Sequence, residues 1–270
     1  MRSGFLSCIL ADFNPFLAIK SRPIFTFSLW RWEVTISNHM VMVTAAVLLL
    51  VTIMPLATRS KRRIPKGMQN LVESVCEFLR EQLARPILRE RTDRFIGFVW
   101  TTFFFILTLN LLGMVPTEHI IFVLTGKENH LGGAATANIW VTGAMAVVAF
   151  FMIHISGIRE QGLWHYIVNF APPVPWWLKP LIYFLEIISS FVRPFTLAIR
   201  LFANIIAGHM VLAAFVGLIV VFKNYKVAVA SVTGAVAISL IELLVAFLQA
   251  YVFTLLATLY IGLSIAPEHD

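Results

Sequence analysis

Residues 191–210 read FVRPFTLAIRLFANIIAGHM and lie inside a much longer apolar stretch. From 178 to 222 the charged side chains are Lys179, Glu186, Arg193 and Arg200. A charged side chain at the centre of a bilayer costs roughly 2.5–3.5 kcal/mol on insertion scales. The stretch therefore poses two questions: whether it lies in a membrane, and what its arginines do there.

The composition of the whole chain predicts an integral membrane protein. It is 59% hydrophobic and 13% charged, with a mean hydropathy of +0.84, whereas soluble domains carry roughly 25% charged residues. The net charge of +7 is largely concentrated beside one apolar segment, so membrane topology explains it better than nucleic-acid binding does. Cys8 and Cys76 form no CxxC motif, which argues against a disulfide scaffold or a thiolate metal site.

Hydropathy and loop charge together predict the topology. We expect an outer-side N-terminal segment over 1–37 without a cleavable signal peptide, and a single membrane domain over 38–270 that begins with a span at 38–57. Residues 58–94 hold ten Lys and Arg, and the loop at 116–136 holds one. The positive-inside rule places 58–94 on the inner side and 116–136 on the opposite side.

Residues 69–91 have the pattern of an amphipathic helix. Apolar residues such as Val72, Leu79 and Leu83 fall on one helical face, and charged residues such as Glu73 and Arg80 fall on the other. This favours a helix lying in the inner membrane interface, with a soluble helix packed on another subunit as the alternative. Two further spans are predicted at 95–115 and 137–155, before the prolines of 169–180 interrupt the chain.

Two apolar segments at 178–222 and 227–266 complete the chain. As continuous helices they would be about 67 and 60 Å long, roughly double the hydrocarbon thickness of a bilayer. Hydropathy alone slightly favours two spans in each segment. Neither segment has a polar turn near its middle, however, and a lipid-exposed turn would leave backbone groups without hydrogen bonds. We therefore predict a hairpin of two long, steeply tilted helices joined at FKNYK, residues 222–226.

The polar residues of this hairpin follow helical stripes. Glu186, Arg193 and Arg200 are spaced by seven residues, so they drift by only about 20° per step and share one stripe. Asn204 stays near that stripe, whereas His209 turns to the opposite side. On the last helix Glu242 and Gln249 are also seven residues apart and share a face. A kink is expected at Pro194.

The chemistry of these residue types indicates an interrupted proton path. An arginine keeps its proton at any working pH, so it cannot carry protons but forms a permanent positive barrier. Glu186, Glu242 and His209 can titrate. For Arg193 a structural role, by snorkelling to the interface or by pairing with Glu186, is an equal alternative. Arg200 lies too far from either end of its segment to snorkel easily.

Five stretches of the sequence resemble subunit a of the F-type rotary ATP synthases. The signature is PLIYFLEIISSFVRPFTLAIRLFANIIAGHM at 180–210, followed by AVAISLIELLVAFLQAYVFTLLATLYI at 235–261. Earlier segments occur in the same order: NLLGMVPT at 110–117, NIWVTGAMAVVAF at 138–150 and GLWHYIVNFAPPVPWWLKPLI at 162–182. The similarity runs from about residue 38 to 266.

This resemblance implies a role for each polar residue. Arg200 matches the essential arginine that separates two offset half-channels and displaces protons from carboxylates of a rotor ring. Glu186 matches a carboxylate on the inner-side path, and His209 and Glu242 match a coupled pair on the outer-side path. Asn204, Gln249 and Arg193 are polar neighbours. Glu118 and His119 are candidates for the outer opening, with solvated loop residues as the alternative.

The resemblance also implies the partners and the location. The partners would be a ring of c subunits, b-type subunits of the peripheral stalk, the rest of the ATP synthase and membrane lipids, with no nucleic acid, cofactor or metal. The location would be an energy-coupling membrane, a bacterial plasma membrane first and a mitochondrial inner membrane as the alternative.

Other functional classes find less support in the sequence. No Walker A sequence, G-x-S-x-G or HExxH motif occurs, so we expect no catalytic site in this chain. A di-haem cytochrome needs paired axial histidines on adjacent spans, but His154 and His209 are the histidines in or at the end of apolar segments; His154 and His165 are interpreted as interfacial or structural. A stand-alone channel or secondary transporter remains the alternative function, although the internal repeat of many transporters is missing.

Overall fold

The chain forms an all-α membrane protein, as the composition predicted. The computed structural model describes residues 23–29, 32–58, 67–115, 134–168, 170 and 174–265. Among them, five helical segments are long and apolar enough to cross a bilayer: Asn38–Leu56, Met68–Met114, Ile139–Gln161, Lys179–Phe222 and Tyr225–Ile265. A long helix is suited to a bilayer because it forms its backbone hydrogen bonds within itself and needs no water to do so.

Two short strands precede the first helix. Strand β1 (Pro23–Leu29) pairs antiparallel with β2 (Trp32–Ser37), and Leu29 lies opposite Trp32. Both strands are rich in aromatic and β-branched residues, which favour a pleated backbone. These strands were not predicted from the sequence, because hydropathy over long windows does not detect a pair of 7 and 6 residues. Helix α1 (Asn38–Thr58) follows β2 directly, where the sequence predicted a span at 38–57.

Residues 68–114 form one almost continuous helical run. Helix α2 (Met68–Phe78) passes into a π-helical turn (Leu79–Ala84), α3 (Arg85–Leu88), a 3₁₀ turn (Arg89–Arg91) and α4 (Thr92–Met114). Arg89 has φ 51°, in the left-handed region, and marks the bend between α3 and α4. Of the predicted apolar face of 69–91, Val72, Leu79 and Leu83 are buried, but Leu71 and Phe78 stay exposed.

Helix α5 (Ile139–Gln161) extends beyond the predicted span of 137–155. It follows a 3₁₀ turn (Ala135–Ala137), and the short helix α6 (Leu163–Val168) comes after it. Gly162 separates α5 from α6 with φ 79°, a conformation that glycine adopts without steric cost.

Each of the last two apolar segments is a single helix. Helix α7 (Lys179–Phe222) continues through Pro194, and helix α8 is Tyr225–Ile265. Between them Lys223 has φ 48°, and the Asn224 side-chain oxygen accepts a hydrogen bond of 3.0 Å from the backbone N–H of Lys226. Asn224 thus caps the start of α8. No polar turn interrupts either helix within these bounds.

The chain divides into two compact units, each assembled from three stretches. The first unit comprises Met1–Leu49, Phe105–Val141 and Arg200–Gln249. The second comprises Leu50–Phe104, Thr142–Ile199 and Ala250–Asp270. Both α7 and α8 therefore contribute to both units.

The first unit is held together by close packing of small residues. The buried Ala134 and Ala137, just before α5, contact Ile205 of α7. Gly234 of α8 lies against the ring of Phe215, so close that an added Cβ would be 2.9 Å from the ring atom Cζ. In a membrane, where lipid and protein interior are equally apolar, such contacts of small residues let helices pack tightly.

The second unit carries a belt of ion pairs and carbonyl contacts. Arg91 lies 3.5 Å from Glu160 and donates a hydrogen bond of 2.6 Å to the carbonyl of Ile265, the last residue of α8. Arg94 also pairs with Glu160, and Gln161 donates to the carbonyl of Ser264 at 2.8 Å. A cation at the end of α8 is favourable because the helix dipole is negative there. The belt joins the ends of α5 and α8 to the start of α4.

Candidate functional site

Buried polar atoms without hydrogen-bond partners concentrate in the first unit. Asn204 Nδ2 and His209 Nε2 on α7, and Glu242 Oε1 and Gln249 Nε2 on α8, have none among the described residues. Only 6% of Glu242 and 7% of Gln249 is exposed. An unpaired buried polar group costs free energy, so a set of four in one helix pair indicates a site that water, an ion or a partner completes.

Glu242 packs directly on the backbone of α7. A Cβ added to Gly208 would lie 2.7 Å from Glu242 Cδ and would overlap Oε1, so a larger residue at 208 would displace this carboxyl group from its position. Gly208 precedes His209 in the chain, which brings the two predicted titratable residues to one level of the helix pair. Glu242 Oε1 and His209 Nε2 do not form a hydrogen bond with each other. Gly208 was not predicted as a site residue, although its position beside His209 was a usable signal.

Asn110 of α4 is a further polar residue of this unit that was not predicted as functional. It is fully buried, its Nδ2 donates to the carbonyl of Ala246 at 3.3 Å, and its Oδ1 has no partner among the described residues. Ala246 lies one turn after Glu242 on α8. A lone amide in an otherwise apolar span was the available sequence signal.

Arg200 differs from Arg193 in what surrounds it. Within the described part of its own unit, the Arg200 side chain forms no salt bridge and no hydrogen bond. In the second unit, Arg193 Nη2 donates to Glu186 Oε1 at 2.7 Å and Nε donates to Ser189 Oγ at 3.1 Å. The Arg193 guanidinium also lies 4.9 Å from the ring centroid of Tyr260. The pairing with Glu186 is the structural alternative that the sequence left open for Arg193.

A hydrogen-bonded chain of three side chains joins α5, α6 and α7 in the second unit. His154 Nδ1 lies 2.6 Å from Tyr166 Oη, and His154 Nε2 lies 2.9 Å from Ser190 Oγ. Burial raises the pKa of Tyr166 to about 12, so this hydroxyl keeps its proton at neutral pH. Through these two contacts His154 of α5 links α6 to α7, and a structural role for it stays a prediction.

Replacing Tyr166 by phenylalanine should lower the free energy of unfolding by about 1 kcal/mol, because His154 Nδ1 loses its partner. The measurement is detergent-induced unfolding of the purified chain in mixed micelles. Tyr183→Phe is the matched control. The Tyr183 ring lies 5.8 Å from the Phe170 ring, as the Tyr166 ring does, but the Tyr183 hydroxyl takes no part in this chain of hydrogen bonds. Equal losses in both variants would contradict the assignment.

The two loop candidates, Glu118 and His119, lie outside the described residues. Within the described ranges, no three His, Cys, Asp or Glu side chains come close enough together to hold a metal ion.

The comparisons with known proteins converge on one family. The family described as ATP synthase A chain matches residues 39–262. ATP synthase subunit a of Chloroherpeton thalassium is 37% identical over 265 residues, which cover 95% of this chain and 74% of that protein.

Two other bacterial relatives have the same name. ATP synthase subunit a of Myxococcus xanthus is 39% identical over 241 residues, covering 88% of this chain and 75% of that protein. ATP synthase subunit a 2 of Chlorobaculum tepidum is 37% identical over 247 residues, covering 88% of this chain and 66% of that protein. The matched region is thus shorter than each of these relatives.

Proposed function

This chain belongs to the ATP synthase A chain family, a family of proton-translocating subunits of the enzyme's membrane sector, and from that premise we propose that Arg200 separates two offset half-channels beside a rotor ring. Protons would enter one half-channel, neutralise a rotor carboxylate, travel with the ring through lipid and leave by the other half-channel. Arg200 would hold the unprotonated carboxylate and block a direct leak.

One observation carries this proposal: Arg200 has no counter-ion in the described part of its unit while four polar atoms of Asn204, His209, Glu242 and Gln249 are buried there without partners. A charge in a membrane needs an opposite charge or water to offset its desolvation. A rotor carboxylate would supply the opposite charge, and water in a half-channel would supply the hydrogen bonds.

His209 and Glu242 are the groups we assign to the outer-side path. Both side chains can exchange a proton, and Gly208 brings α7 and α8 close together at this level. Because the two groups do not bond to each other, each is free to accept a hydrogen bond from channel water. Glu118 and His119 remain proposed contributors to the outer opening of this path.

Glu186 is the group we assign to the inner-side path. Its side chain is 28% exposed, and its partner Arg193 is 31% exposed. Arg193 Nη2 donates to Glu186 Oε1 at 2.7 Å, and this bond fixes the direction of the carboxylate. Arg193 would then position Glu186 and would not itself touch the rotor.

The rotor ring would approach the face of α7 that carries Arg200. Ala203, Ala207 and Ala214 on this side of the helix are exposed in the chain. Small side chains permit close approach of a neighbouring helix, so a rotor carboxylate can come within reach of the guanidinium. We further propose that b-type subunits hold the chain as stator, and that the host membrane is a bacterial plasma membrane.

Cysteine cross-linking tests this contact. Ala207→Cys should form a disulfide, in oxidised membranes, with a cysteine placed beside the rotor carboxylate of the c subunit. Val148→Cys on α5, which is 62% exposed, is the control for random collision. Equal cross-linking from both positions would contradict the proposal that the rotor contacts this face of α7.

A second experiment separates this function from a stand-alone channel or transporter. The purified chain alone, in liposomes under an imposed membrane potential, should carry no protons above the background of empty liposomes, because the moving carboxylate belongs to another subunit. The reconstituted membrane sector with its ring should carry them. Proton flux through the chain alone would favour the alternative. ATP hydrolysis is likewise assigned to partner subunits.

A further inference from the structure

A cavity of about 280 Å³ lies in the second unit, bordered by α5, α6, Phe170 and the first part of α7. Aromatic rings form most of its wall: Phe150, Tyr166, Phe170, Tyr183 and Phe191. Phe150 stacks on Phe191 with centroids 5.2 Å apart, and Phe170 lies 5.8 Å from both Tyr166 and Tyr183. The cavity is thus an open groove whose wall includes aromatic rings in contact with one another.

Three polar side chains in this wall, those of His154, Tyr166 and Ser190, are hydrogen-bonded to each other. His154 bonds to Tyr166 through Nδ1 and to Ser190 through Nε2. A guest in the cavity therefore finds mainly apolar surface, with the Tyr183 hydroxyl as the polar group of the lining outside these bonds, which selects against strongly polar ligands. An apolar cavity of roughly 150 Å³ holds benzene, so this larger one has room for a flexible hydrocarbon chain.

The cavity opens on an apolar surface of the chain. Leu163, Ile167 and Phe191 border it and remain 60%, 44% and 62% exposed. In a membrane protein such an opening faces acyl chains at very high concentration. An empty cavity forfeits dispersion contacts that an entering chain restores.

Basic and amphipathic side chains stand beside the cavity. Arg159 follows Ile158, which borders the cavity, and Lys179 lies one helical turn before Tyr183 on the same face of α7. Both are exposed, as are Trp164, Trp176 and Trp177, the type of residue that settles at the level of lipid headgroups. A phosphate at this level would meet two positive charges.

We propose that this cavity is a lipid-binding site that takes one acyl chain of an anionic phospholipid and holds its headgroup with Arg159 and Lys179. The bound chain fills the space behind the His154–Tyr166–Ser190 contacts and so keeps α6 packed on α5 and α7. The proposal does not rest on the proposed proton path, although Ile187 in the cavity wall directly follows Glu186 in the chain.

The test uses the full-length protein in phosphatidylcholine vesicles that contain a phosphatidylglycerol with a photoactivatable group on its acyl chain. After irradiation, mass spectrometry should locate adducts at Ile158 and Phe170. Ile187→Trp, which places an indole in the cavity, should remove most of these adducts. Ile188→Trp is the matched control because Ile188 is exposed on the same helix without bordering the cavity, and it should leave the adducts unchanged.

The headgroup preference is tested in the same vesicles. Lys179→Gln should lower adduct formation by phosphatidylglycerol roughly fivefold, the electrostatic contribution of one basic residue near an anionic lipid. Lys223→Gln, at the exposed turn between α7 and α8, should not lower it. Adducts that survive Ile187→Trp, or an equal yield from a phosphatidylcholine analogue, would overturn the proposal.

Discussion

Replacing Arg200 by alanine should abolish ATP-driven proton pumping by the assembled complex, while passive proton leak through its membrane sector persists or rises. Breaking a buried charge pair costs about 3–5 kcal/mol, which corresponds to a factor of roughly 10²–10⁴. Pumping should therefore fall at least about a hundredfold. The measurement combines acidification of inverted vesicles on ATP addition with the decay of an imposed pH gradient.

Arg193→Gln is the matched control for this prediction. It removes a guanidinium seven residues away on the same helix, but one whose partners, Glu186, Ser189 and Tyr260, belong to this chain. Because this ion pair is partly exposed, its loss should cost about 1 kcal/mol or less of stability. Pumping should fall far less than in Arg200→Ala, because Arg193 positions Glu186 without touching the rotor. Normal coupled pumping in an assembled Arg200→Ala complex would make Arg200 structural, and an equal loss in Arg193→Gln would remove the distinction between the two arginines.

Replacing Gly208 by valine should reduce ATP-driven pumping by more than about tenfold without preventing assembly, because even a 1 Å misplacement of a reacting group can cost about 10²-fold. The new side chain would occupy the space of the Glu242 carboxyl group, where an added Cβ already lies 2.7 Å from Cδ. Glu242 is flexible, so its carboxyl group should move aside while the helices stay folded. The measurement is pumping normalised to the amount of assembled complex.

Gly217→Val is the matched control for Gly208→Val. It makes the same substitution nine residues further along α7, where an added Cβ meets no atom within 4 Å. Its pumping should stay close to that of the wild type. The single variant Gly208→Ala should also lose pumping activity. The double variant Gly208→Ala with Glu242→Asp should pump more than this single variant, because the shorter acid makes room for one methyl group. Equal losses at positions 208 and 217 would show that the contact with Glu242 is irrelevant to transport.

The sequence was sufficient to predict long membrane helices, because the requirement that produces them acts within each helix separately. A bilayer leaves backbone groups unsatisfied unless the helix that contains them pairs them. Apolar stretches at 178–222 and 227–266 without a polar turn therefore predict helices, and α7 and α8 begin and end within two residues of those limits. Strands β1 and β2 were missed because a two-stranded pair is too short to register in hydropathy windows.

Which polar residue meets which was decided by tertiary structure. The seven-residue spacing placed Arg193 and Arg200 on one stripe but did not show which arginine has a partner within the chain. Tyr260, which Arg193 contacts, is distant in sequence, and the side-chain rotamer determines whether Arg193 reaches Glu186. The contact of Gly208 with Glu242, the bond from Asn110 to Ala246 and the His154 hydrogen bonds each join different helices. Periodicity describes one helix at a time, so the sequence by itself determined the helices and their polar faces. The packing of helices against each other determined which buried polar groups have partners and which have none.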